Sequence, residues 1–545
     1  MNFFRTTILE SRSLGPLFVG LLLIPALVFI TACDSNGSGD NMDSPPAEQE
    51  PARLDTGPVE ETDTNVDVDY DDDGTAEVVR VTDVNNNGVV PRDANGSTVT
   101  WSSDKTYELN GFVFVNPGDT LEIEPGTEIQ GRLGGGADAS ALIVASGGVI
   151  EAEGTASDPI VFTSVRAADE TLALGRDDRG LWGGVILLGD APTNNGSEVA
   201  IEGVPDNTGA RILYGGQNVD HDVGTFKYVS IRHTGTQLGN GDEIQGLTLG
   251  GVGSGSTIEY VESYASDDDG FEWFGGTVNT KYLITAYESD DAFDIDQGYR
   301  GSNQFWLAVQ GGNESGRASE MDGAGSPESA EPYAESIISN ATYLGMGPGV
   351  SDASGDANDP FIIHRDNNAT SYHNSVFAGG RTNAGIQIED LEAGSEDAAN
   401  RWAAGQLEHQ DNLWYNIGPG FSGQTTFEDL IQLTTDDDGT PSGDRGNALE
   451  GNLADYLRSE NNAIVNNNPY ASISRANGNG AIQSFDPTPV NAATSGANEP
   501  SDFGNKSAGV NDSWTSVSFR GAFGSGAEWN LDSDWAKITQ DGTVQ

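Results

Sequence analysis

Short runs of alternating apolar and polar residues recur from Trp101 onward. Gly, Asn and Asp separate them, and no helical periodicity lies between them. Alternation with a period of two puts successive side chains on opposite faces of a strand. The pattern therefore predicts short β-strands joined by tight turns. The clearest early runs are 112–115, 120–123, 141–145, 149–152 and 159–163.

Two stretches in the middle of the chain repeat each other. Residues 264–273 and 287–296 begin 23 residues apart, and each has an aromatic residue, an acidic turn and a short alternating strand. Tyr260 and Tyr282 align just before them, and 226–231 is an earlier copy. This period is about one coil of a parallel β-helix. The sequence predicts an all-β fold, a right-handed, single-stranded parallel β-helix solenoid. A β-propeller or sandwich fits the period less well.

The last third of the chain departs from this pattern. Residues 397–410 and 450–462 have helix-like composition and predict short helical or loop insertions. Residues 518–523, continuing through Trp529 to Trp535, predict a terminal cap that covers an exposed strand edge. The predicted organisation is a signal peptide (1–32), an acidic tether (33–77), a β-helix core (78–400), and later coils with helical insertions and the cap (401–545).

The N-terminus predicts a lipid anchor. Arg5 and Arg12 precede an apolar run over 14–30, and Ile-Thr-Ala leads into Cys33. This is the pattern of a lipoprotein signal peptide, in which Cys33 would be lipidated and become the first mature residue. The alternative is an N-terminal transmembrane helix. Cys33 is the only cysteine, which excludes an internal disulfide framework.

The acidic balance of the chain limits its partners. The formal net charge is −60, from 85 acidic and 25 basic residues. Such a charge argues against nucleic acid and anionic headgroups, and favours cations, cationic surfaces or neutral glycans. Adaptation to a saline habitat explains the same charge. Residues 34–77 include fifteen acidic residues and a single basic one, Arg53, which predicts an extended tether. A calcium loop at 67–74 is the less favoured alternative, because the usual glutamate after the ligand run is missing.

The two acidic turns are the candidate cation site. If they are successive coils, Asp267 stacks on Asp290, and Glu272 stacks on Asp294 after a one-residue gap, about 4.8 Å apart. Carboxylates this close repel unless a cation lies between them. A calcium site is the first interpretation, and ordinary strand-ending turns facing water are the second. The predicted calcium ligands are Asp267, Asp268, Asp269, Asp290, Asp291 and Asp294.

At these residues the chain resembles a group of β-helix lipoproteins of Bacteroidota and other marine Gram-negative bacteria. The segments that carry the resemblance are 180–189 with 191–194, 267–276, 290–300 and 519–523. The resemblance covers nearly everything from Trp101 to the end and implies fold and location, but no activity. In that group, acidic residues soon after the lipidated cysteine, here Asp34, Asp40 and Asp43, accompany export to the cell surface. We therefore expect an outer-membrane lipoprotein that faces outward, whereas the enteric sorting rule for Asp34 implies the inner membrane.

Enzymes on the same fold supply a second functional hypothesis. Pectate lyases use calcium-binding aspartates with an arginine base, and Arg300 follows the second acidic coil. A shallow groove lined by Trp273, Tyr299 and Trp306 would stack sugars. Polygalacturonases use paired aspartates, and Asp290 and Asp291 are a superficial match. Their Gly-His-Gly and Arg-Ile-Lys companions are absent from this sequence, which argues against hydrolysis.

Two functions of different classes thus remain open. The first is a non-catalytic surface protein that binds glycan, another envelope protein or a metal-loaded ligand, with Ca²⁺ as the expected cofactor. The second is a polysaccharide lyase or glycoside hydrolase of pectate-lyase-like fold, with Arg300, Asp290 and Asp291 as catalytic candidates. The histidines are scattered and predict no zinc site, although His221 and His364 have acidic neighbours that would assist a metal. They are His221, His233, His364, His373 and His409.

Overall fold

The computed structural model describes residues 65–68, 78–82 and most of 98–545. The longest gaps beyond residue 98 are 348–359 and 498–513. The predicted signal peptide, Cys33 and nearly all of the acidic tether lie outside the described residues. Among the described residues, no helix has the length and apolar character needed to cross a membrane.

The first twenty strands occupy the chain up to Val309. They are β1 (Asn65–Val68), β2 (Val78–Thr82), β3 (Thr98–Trp101), β4 (Thr106–Asn110), β5 (Phe112–Val115), β6 (Thr120–Ile123), β7 (Glu128–Gly131), β8 (Ala141–Val144), β9 (Val149–Glu153), β10 (Ile160–Ser164), β11 (Val185–Leu188), β12 (Val199–Ala200), β13 (Leu213–Tyr214), β14 (Gly224–Arg232), β15 (Leu247–Gly250), β16 (Thr257–Tyr264), β17 (Phe271–Phe274), β18 (Thr280–Ala286), β19 (Phe293–Asp296) and β20 (Ser302–Val309).

The rest of the chain adds shorter strands and three helices. The strands are β21 (Ser319–Asp322), β22 (Ile337–Ser339), β23 (Thr342–Leu344), β24 (Ile362–Arg365), β25 (Ser371–His373), β26 (Val376–Ala378), β27 (Ile386–Glu389), β28 (His409–Gln410), β29 (Leu413–Tyr415), β30 (Ile431–Thr434), β31 (Ala463–Val465), β32 (Tyr470–Arg475) and β33 (Ile482–Pro489). The helices are α1 (Ala398–Ala403), α2 (Asp444–Ser459) and α3 (Lys537–Gln540). The predicted helical insertions are confirmed in α1 and α2.

Strands of successive coils pair in parallel and build long sheets. A 19-stranded sheet holds two faces of the solenoid, and a 10-stranded sheet that runs from β5 to β30 forms the third. All described pairings in the 10-stranded sheet are parallel, as in β17–β19. The predicted all-β parallel β-helix is therefore confirmed. Among the named strands that the structure describes, the antiparallel pairings are the local ones β1–β2, β12–β13 and β32–β33.

One corner of the solenoid is built from a ladder of residues with left-handed backbone. In β14, β16, β18 and β20 an aromatic residue interrupts the strand and turns the chain from one face to the next. In later coils Asn or Asp takes the same register position. Asn and Asp tolerate this conformation better than aromatic residues do, so ring stacking must offset the strain in the earlier coils. The corner ladder is Tyr228, Tyr260, Tyr282, Phe305, Asn340, Asn374, Asp411 and Asn461, with φ from 50° to 62°.

The interior is a continuous apolar column that ends at a helix. Trp273, Phe293 and Trp306 stack inside the middle coils at centroid distances of 4.3 to 6.3 Å. At the far end, Leu453 and Leu457 of α2 are buried in the same cluster as Leu433 of β30. This helix therefore covers the last coils and shields apolar side chains there from water.

The C-terminal segment packs along the side of the coils. Trp535 contacts Tyr228 and Tyr260 edge-on at 5.8 and 6.2 Å, and Trp529 contacts Tyr282 at 5.4 Å. The backbone N–H groups of Lys537 and Ile538 donate to the buried Glu262 carboxylate on β16. The predicted terminal cap is corrected in this respect: these contacts cover the corner ladder, because the stacked rings left an apolar edge there.

Candidate functional site

Acidic side chains collect on the outer face of the 10-stranded sheet. In β17, Phe271 and Trp273 point into the core, so the alternate residue Glu272 points outward. The same alternation places Asp294 and Asp296 of β19 outside, and β21 adds the next two carboxylates. Parallel pairing then aligns these residues in rows. We call this surface the outer carboxylate face: Asp268, Asp269, Glu272, Asp290, Asp291, Asp294, Asp296, Glu320 and Asp322.

Two groups of three carboxylates on this face are close enough to share a cation. The first is Asp268, Asp269 and Asp290, and the second is Asp269, Glu272 and Asp294. In each group one oxygen per residue lies within 4.8 Å of the others. Asp269 belongs to both groups and is 7% exposed. Its carboxylate also accepts a hydrogen bond from the backbone N–H of Asp291 at 2.9 Å, which fixes its position.

The register of the strands corrects one predicted contact. β16 pairs with β18, and β17 with β19, at an offset of 22 residues, so the same offset applies on both sides of the turn. Asp267 therefore lies beside Ser289, whose hydroxyl donates to it at 3.0 Å. Asp290 instead joins Asp268 and Asp269. The predicted Asp267–Asp290 stack was wrong by one residue, whereas the Glu272–Asp294 pair is confirmed.

The Glu272–Asp294 pair lacks hydrogen-bond donors. Glu272 is 6% exposed, and its Oε2 and the Asp294 Oδ1 are buried without a partner among the described residues. Burial and the neighbouring Asp294 raise the pKa of Glu272 well above its ordinary value. Burial raises the pKa of Asp294 well above its ordinary value, and the negative charges of Glu320 and Asp322 raise it further. Such a pair is neutralised either by protons or by a bound cation.

The next coils carry their own counter-charges. Arg365 Nε and Nη2 donate to the two oxygens of Asp322 at 2.6 and 2.9 Å, and Nη2 lies 2.6 Å from Glu320. Arg317 lies 3.3 Å from Glu320 and 3.6 Å from Asp291. Burial opposes the ionisation of Glu320, but Arg317 and Arg365 outweigh it and lower its pKa. The face is thus divided into an acidic part and an ion-paired part.

The donor set of the acidic part fits a hard divalent cation. Calcium takes roughly six to eight oxygen ligands, carboxylates among them, and tolerates irregular geometry. Asp269, Glu272 and Asp294 supply carboxylates from neighbouring coils, and Asp268 and Asp290 extend the set. The buried oxygens without hydrogen bonds are those that a cation would satisfy. The residues present therefore fit calcium.

The sequence matches the family described as "Pectate-lyase like beta helix domain" over residues 93–451, which is most of the chain. The chain belongs to this family. No curated protein matches it significantly. A solved structure, the alginate lyase from Paenibacillus sp. str. FPU-7, is similar at 16% identity and covers 54% of this chain and 81% of its own. Its TM-score is 0.20.

The catalytic candidates of this pectate-lyase-like β-helix are separated. Arg300 lies in the turn after β19, and its Nη2 donates to Glu335 at 2.6 Å. Asp290 is exposed, whereas Asp291 is 1% exposed and accepts the backbone N–H of Arg317. Asp290 and Asp291 therefore do not form a carboxylate pair that faces one substrate, because consecutive residues here point in different directions.

The predicted sugar-stacking groove was wrong. Trp273, Tyr299 and Trp306 are fully buried, and Tyr299 donates its hydroxyl to the Val278 carbonyl inside the coil. Trp273 points inward because it alternates with the outer position Glu272 on β17, and Tyr299 and Trp306 belong to the same buried core cluster. These aromatic side chains support the site from beneath and are not available to a ligand.

Two of the five histidines, which are scattered along the sequence, lie in contact in the structure. His364 of β24 and His409 of β28 are both fully buried, and their Nε2 atoms lie 3.1 Å apart. Asn368 Oδ1 lies 3.0 Å from His364 Nδ1. The two strands lie 45 residues apart, on different faces of the coils. Sequence spacing gave no indication of this contact.

Sequence reasoning also missed the ion-paired half of the face. Glu320, Asp322, Arg317 and Arg365 were not predicted, because the loops around β21 break the 22-residue repeat. An available signal was the alternation in Ser319-Glu320-Met321-Asp322, which repeats the polar positions of Phe293-Asp294-Ile295-Asp296. Aligning these short strands would have extended the carboxylate rows by one coil.

Proposed function

We propose that this protein is a cation-dependent polysaccharide lyase that acts on a uronate-containing polysaccharide at its outer carboxylate face. One observation carries the proposal: Glu272 and Asp294 stack in register with buried oxygens that have no hydrogen-bond partner among the described residues. Membership of the pectate-lyase-like family supports the reaction class. Asp269, Glu272 and Asp294 would hold the cation.

A bound divalent cation would supply two effects on this surface. It would neutralise the uronate carboxylate, which acidifies the proton on the adjacent ring carbon. It would also screen a polyanionic substrate from a chain with a net charge of −60. Asp268 and Asp290 add negative charge beside the ligand group and so favour cation binding. The residues of the chain therefore bind the cation and orient the substrate.

A second candidate function is binding without cleavage, as a non-catalytic surface protein. The observation that favours it is the pairing of the arginines. Arg300 is held by Glu335, and Arg365 by Asp322. A guanidinium engaged by a neighbouring carboxylate is already occupied and is not directed at a substrate proton. Proton abstraction is therefore not assigned to Arg300, the base predicted from the sequence.

One experiment separates the two functions. The purified protein is incubated with pectate, alginate and a neutral glucan, in Ca²⁺ and in chelator, and the unsaturated uronate product is followed by ultraviolet absorbance. A lyase gives product from one acidic polymer only with Ca²⁺, and Glu272→Gln abolishes it. Binding to a polysaccharide affinity gel without product supports the second function. If the protein neither forms product nor binds a polysaccharide, both functions are rejected.

The matched control is Glu151→Gln. Glu151 is an exposed strand residue of β9, outside the carboxylate groups, and loses one negative charge in the same way. We expect this variant to keep the Ca²⁺-dependent behaviour of the natural protein. An equal loss in Glu151→Gln would show that total charge, and not the outer carboxylate face, controls binding.

We also propose that the protein is anchored to the outer membrane through a lipid on Cys33 and faces outward. The support is the signal-peptide and lipobox pattern before Cys33, followed by acidic residues. Membrane attachment through this lipid leaves the β-helix exposed to external glycans. The test is metabolic labelling with palmitate: label in the natural protein and its loss in Cys33→Ser are expected. Protease access on intact cells then tests the side of the membrane.

A further inference from the structure

Arg401 is held in a fixed orientation by its neighbours. It lies on α1, with its guanidinium carbon 3.5 Å from the centre of the Tyr333 ring. Its Nε donates to Asn367 Oδ1 at 2.7 Å, and its Nη1 donates to Gln406 Oε1 at 3.1 Å. Gln406 in turn donates to the Tyr333 hydroxyl at 2.9 Å. These contacts fix the plane of the guanidinium.

All of these fixed contacts are with neutral groups. Among the described residues, no carboxylate forms an ion pair with Arg401, and its Nη2 has no hydrogen bond. Arg300, Arg317, Arg365 and Arg458, by contrast, each pair with at least one carboxylate. In a chain with 85 acidic residues, a fixed guanidinium with only neutral partners is suited to an external anion.

The residues that hold Arg401 adjoin the ion-paired half of the outer carboxylate face. Asn367 follows β24, whose Arg365 belongs to the ion-paired half of the outer carboxylate face. Tyr333 belongs to the connection between β21 and β22, which also contributes Glu335 to Arg300. Glu331 is the other carboxylate near Tyr333, and it is exposed to solvent. Arg401 and Tyr333 are both partly exposed, so a ligand can reach them.

We propose that Arg401, oriented by Tyr333, Asn367 and Gln406, binds the carboxylate of a uronate residue in the substrate, one or more sugars away from the cation group. The substrate class rests on the proposed function. The guanidinium edge offers parallel N–H donors that match a carboxylate, whereas a lysine offers a point charge. The Tyr333 ring keeps the guanidinium in place without neutralising it. This subsite works without a cation, and that separates it experimentally from the carboxylate groups.

The test measures binding of sodium trigalacturonate by calorimetry, in chelator and at low ionic strength. The natural protein is expected to bind it, and added salt to weaken the binding. Arg401→Gln should lose about tenfold or more in affinity, because a charge-assisted hydrogen bond is removed. Arg401→Lys keeps the charge and should recover only part of the loss. Maltotriose, which is neutral, should not bind.

Arg458→Gln is the matched control. Arg458 also lies on a helix near an aromatic ring, Phe427, but it pairs with Glu428 and Asp455. This variant should bind trigalacturonate like the natural protein. Unfolding temperatures of all variants show whether a loss of binding comes from a loss of fold.

The proposal is overturned if the natural protein does not bind trigalacturonate, if folded Arg401→Gln binds as well as the natural protein, or if maltotriose binds equally. Loss of binding in a folded Arg458→Gln variant overturns it too, because general charge would then explain the effect. If Arg401→Gln does not fold, Arg401→Lys becomes the test. Affinity equal to that of the natural protein in Arg401→Lys would then overturn the role of the guanidinium. Failure of the proposed lyase function would be seen separately: the protein would bind trigalacturonate but form no product in the presence of Ca²⁺.

Discussion

Glu272 lies directly opposite Asp294 on adjacent parallel strands, and one oxygen of each carboxylate is buried without a hydrogen-bond donor among the described residues. Like charges opposite each other in a sheet destabilise it. On the same surface, Arg365 of β24 pairs with Glu320 and Asp322 of the neighbouring strand β21. The uncompensated pair is therefore where we propose that the cation binds.

Glu272→Gln should change stability in opposite directions with and without calcium. In chelator it removes repulsion with Asp294, so the variant should be more stable than the natural protein, by about 1 kcal/mol. In saturating Ca²⁺ the natural protein gains binding energy, about 2.7 kcal/mol at a hundredfold excess over Kd. The variant should lose most of this gain. Urea denaturation in the two conditions measures both differences.

Glu151→Gln supplies the comparison for this crossover, since Glu151 is exposed on β9. Its stability should respond to Ca²⁺ as that of the natural protein does. An unchanged midpoint for the natural protein in Ca²⁺ would contradict the cation site and leave the turns as ordinary strand ends.

Arg365→Met should destabilise the fold by roughly 3 kcal/mol. The substitution leaves Glu320 and Asp322 side by side without their shared guanidinium, at side-chain exposures of 15% and 12%. Thermal unfolding measures the loss. Arg458→Met is the control, because Arg458 and its partners are exposed and such pairs contribute less than about 1 kcal/mol. Equal effects of the two substitutions would contradict the argument.

The sequence predicts those parts of this fold that depend on local pattern. Strand alternation and the recurrence of Tyr260 and Tyr282 were sufficient for a parallel β-helix, since each coil repeats its own chemistry. The Glu272–Asp294 pair followed from the same repeat. The position of Arg401 could not follow, because a long insertion and α1 bring it to Tyr333 from 68 residues away.

Errors arose where side chains had to be assigned to a face or a register. The 23-residue offset between aromatic residues placed Asp267 beside Asp290, while the strands pair at 22. Tyr264 and Tyr287 were aligned as equivalents, although Tyr264 pairs with Ala286. A shift of one residue moves a side chain to the neighbouring position of a turn, and sequence similarity alone does not resolve it.

His364 should make stability fall at mildly acidic pH. Burial lowers the pKa of His364 to about 4, against an ordinary value of 6.5. Above pH 6.5 the group is neutral in the folded and unfolded chains, and its contribution is fully present. As the pH falls from 6.5 towards 4, only the unfolded chain takes up the proton, so stability is lost, by about 3 kcal/mol at pH 4.

The measurement compares urea denaturation of the natural protein and His364→Gln between pH 8 and pH 4. At pH 8 the variant shows the cost of the lost contact with His409, independent of protonation. The difference between the two proteins should shrink as the pH falls. A constant difference would show that His364 has the same pKa in the folded and unfolded chains, and would contradict the prediction.

Trp535→Ala should weaken the whole solenoid and not only the C-terminal segment. Trp535 is fully buried against Tyr228 and Tyr260 of the corner ladder, and removing a buried tryptophan costs about 3–5 kcal/mol. Glu262 accepts the backbone N–H groups just after it, so the segment and β16 should unfold together. We expect one cooperative transition at lower denaturant, seen equally by circular dichroism and by tryptophan fluorescence.

Trp402→Ala, on the half-buried face of α1, is the control and should cost less stability than Trp535→Ala. If Trp535→Ala leaves the midpoint unchanged while proteases cut the C-terminal segment, that segment undocks on its own and the corner ladder is stable without it.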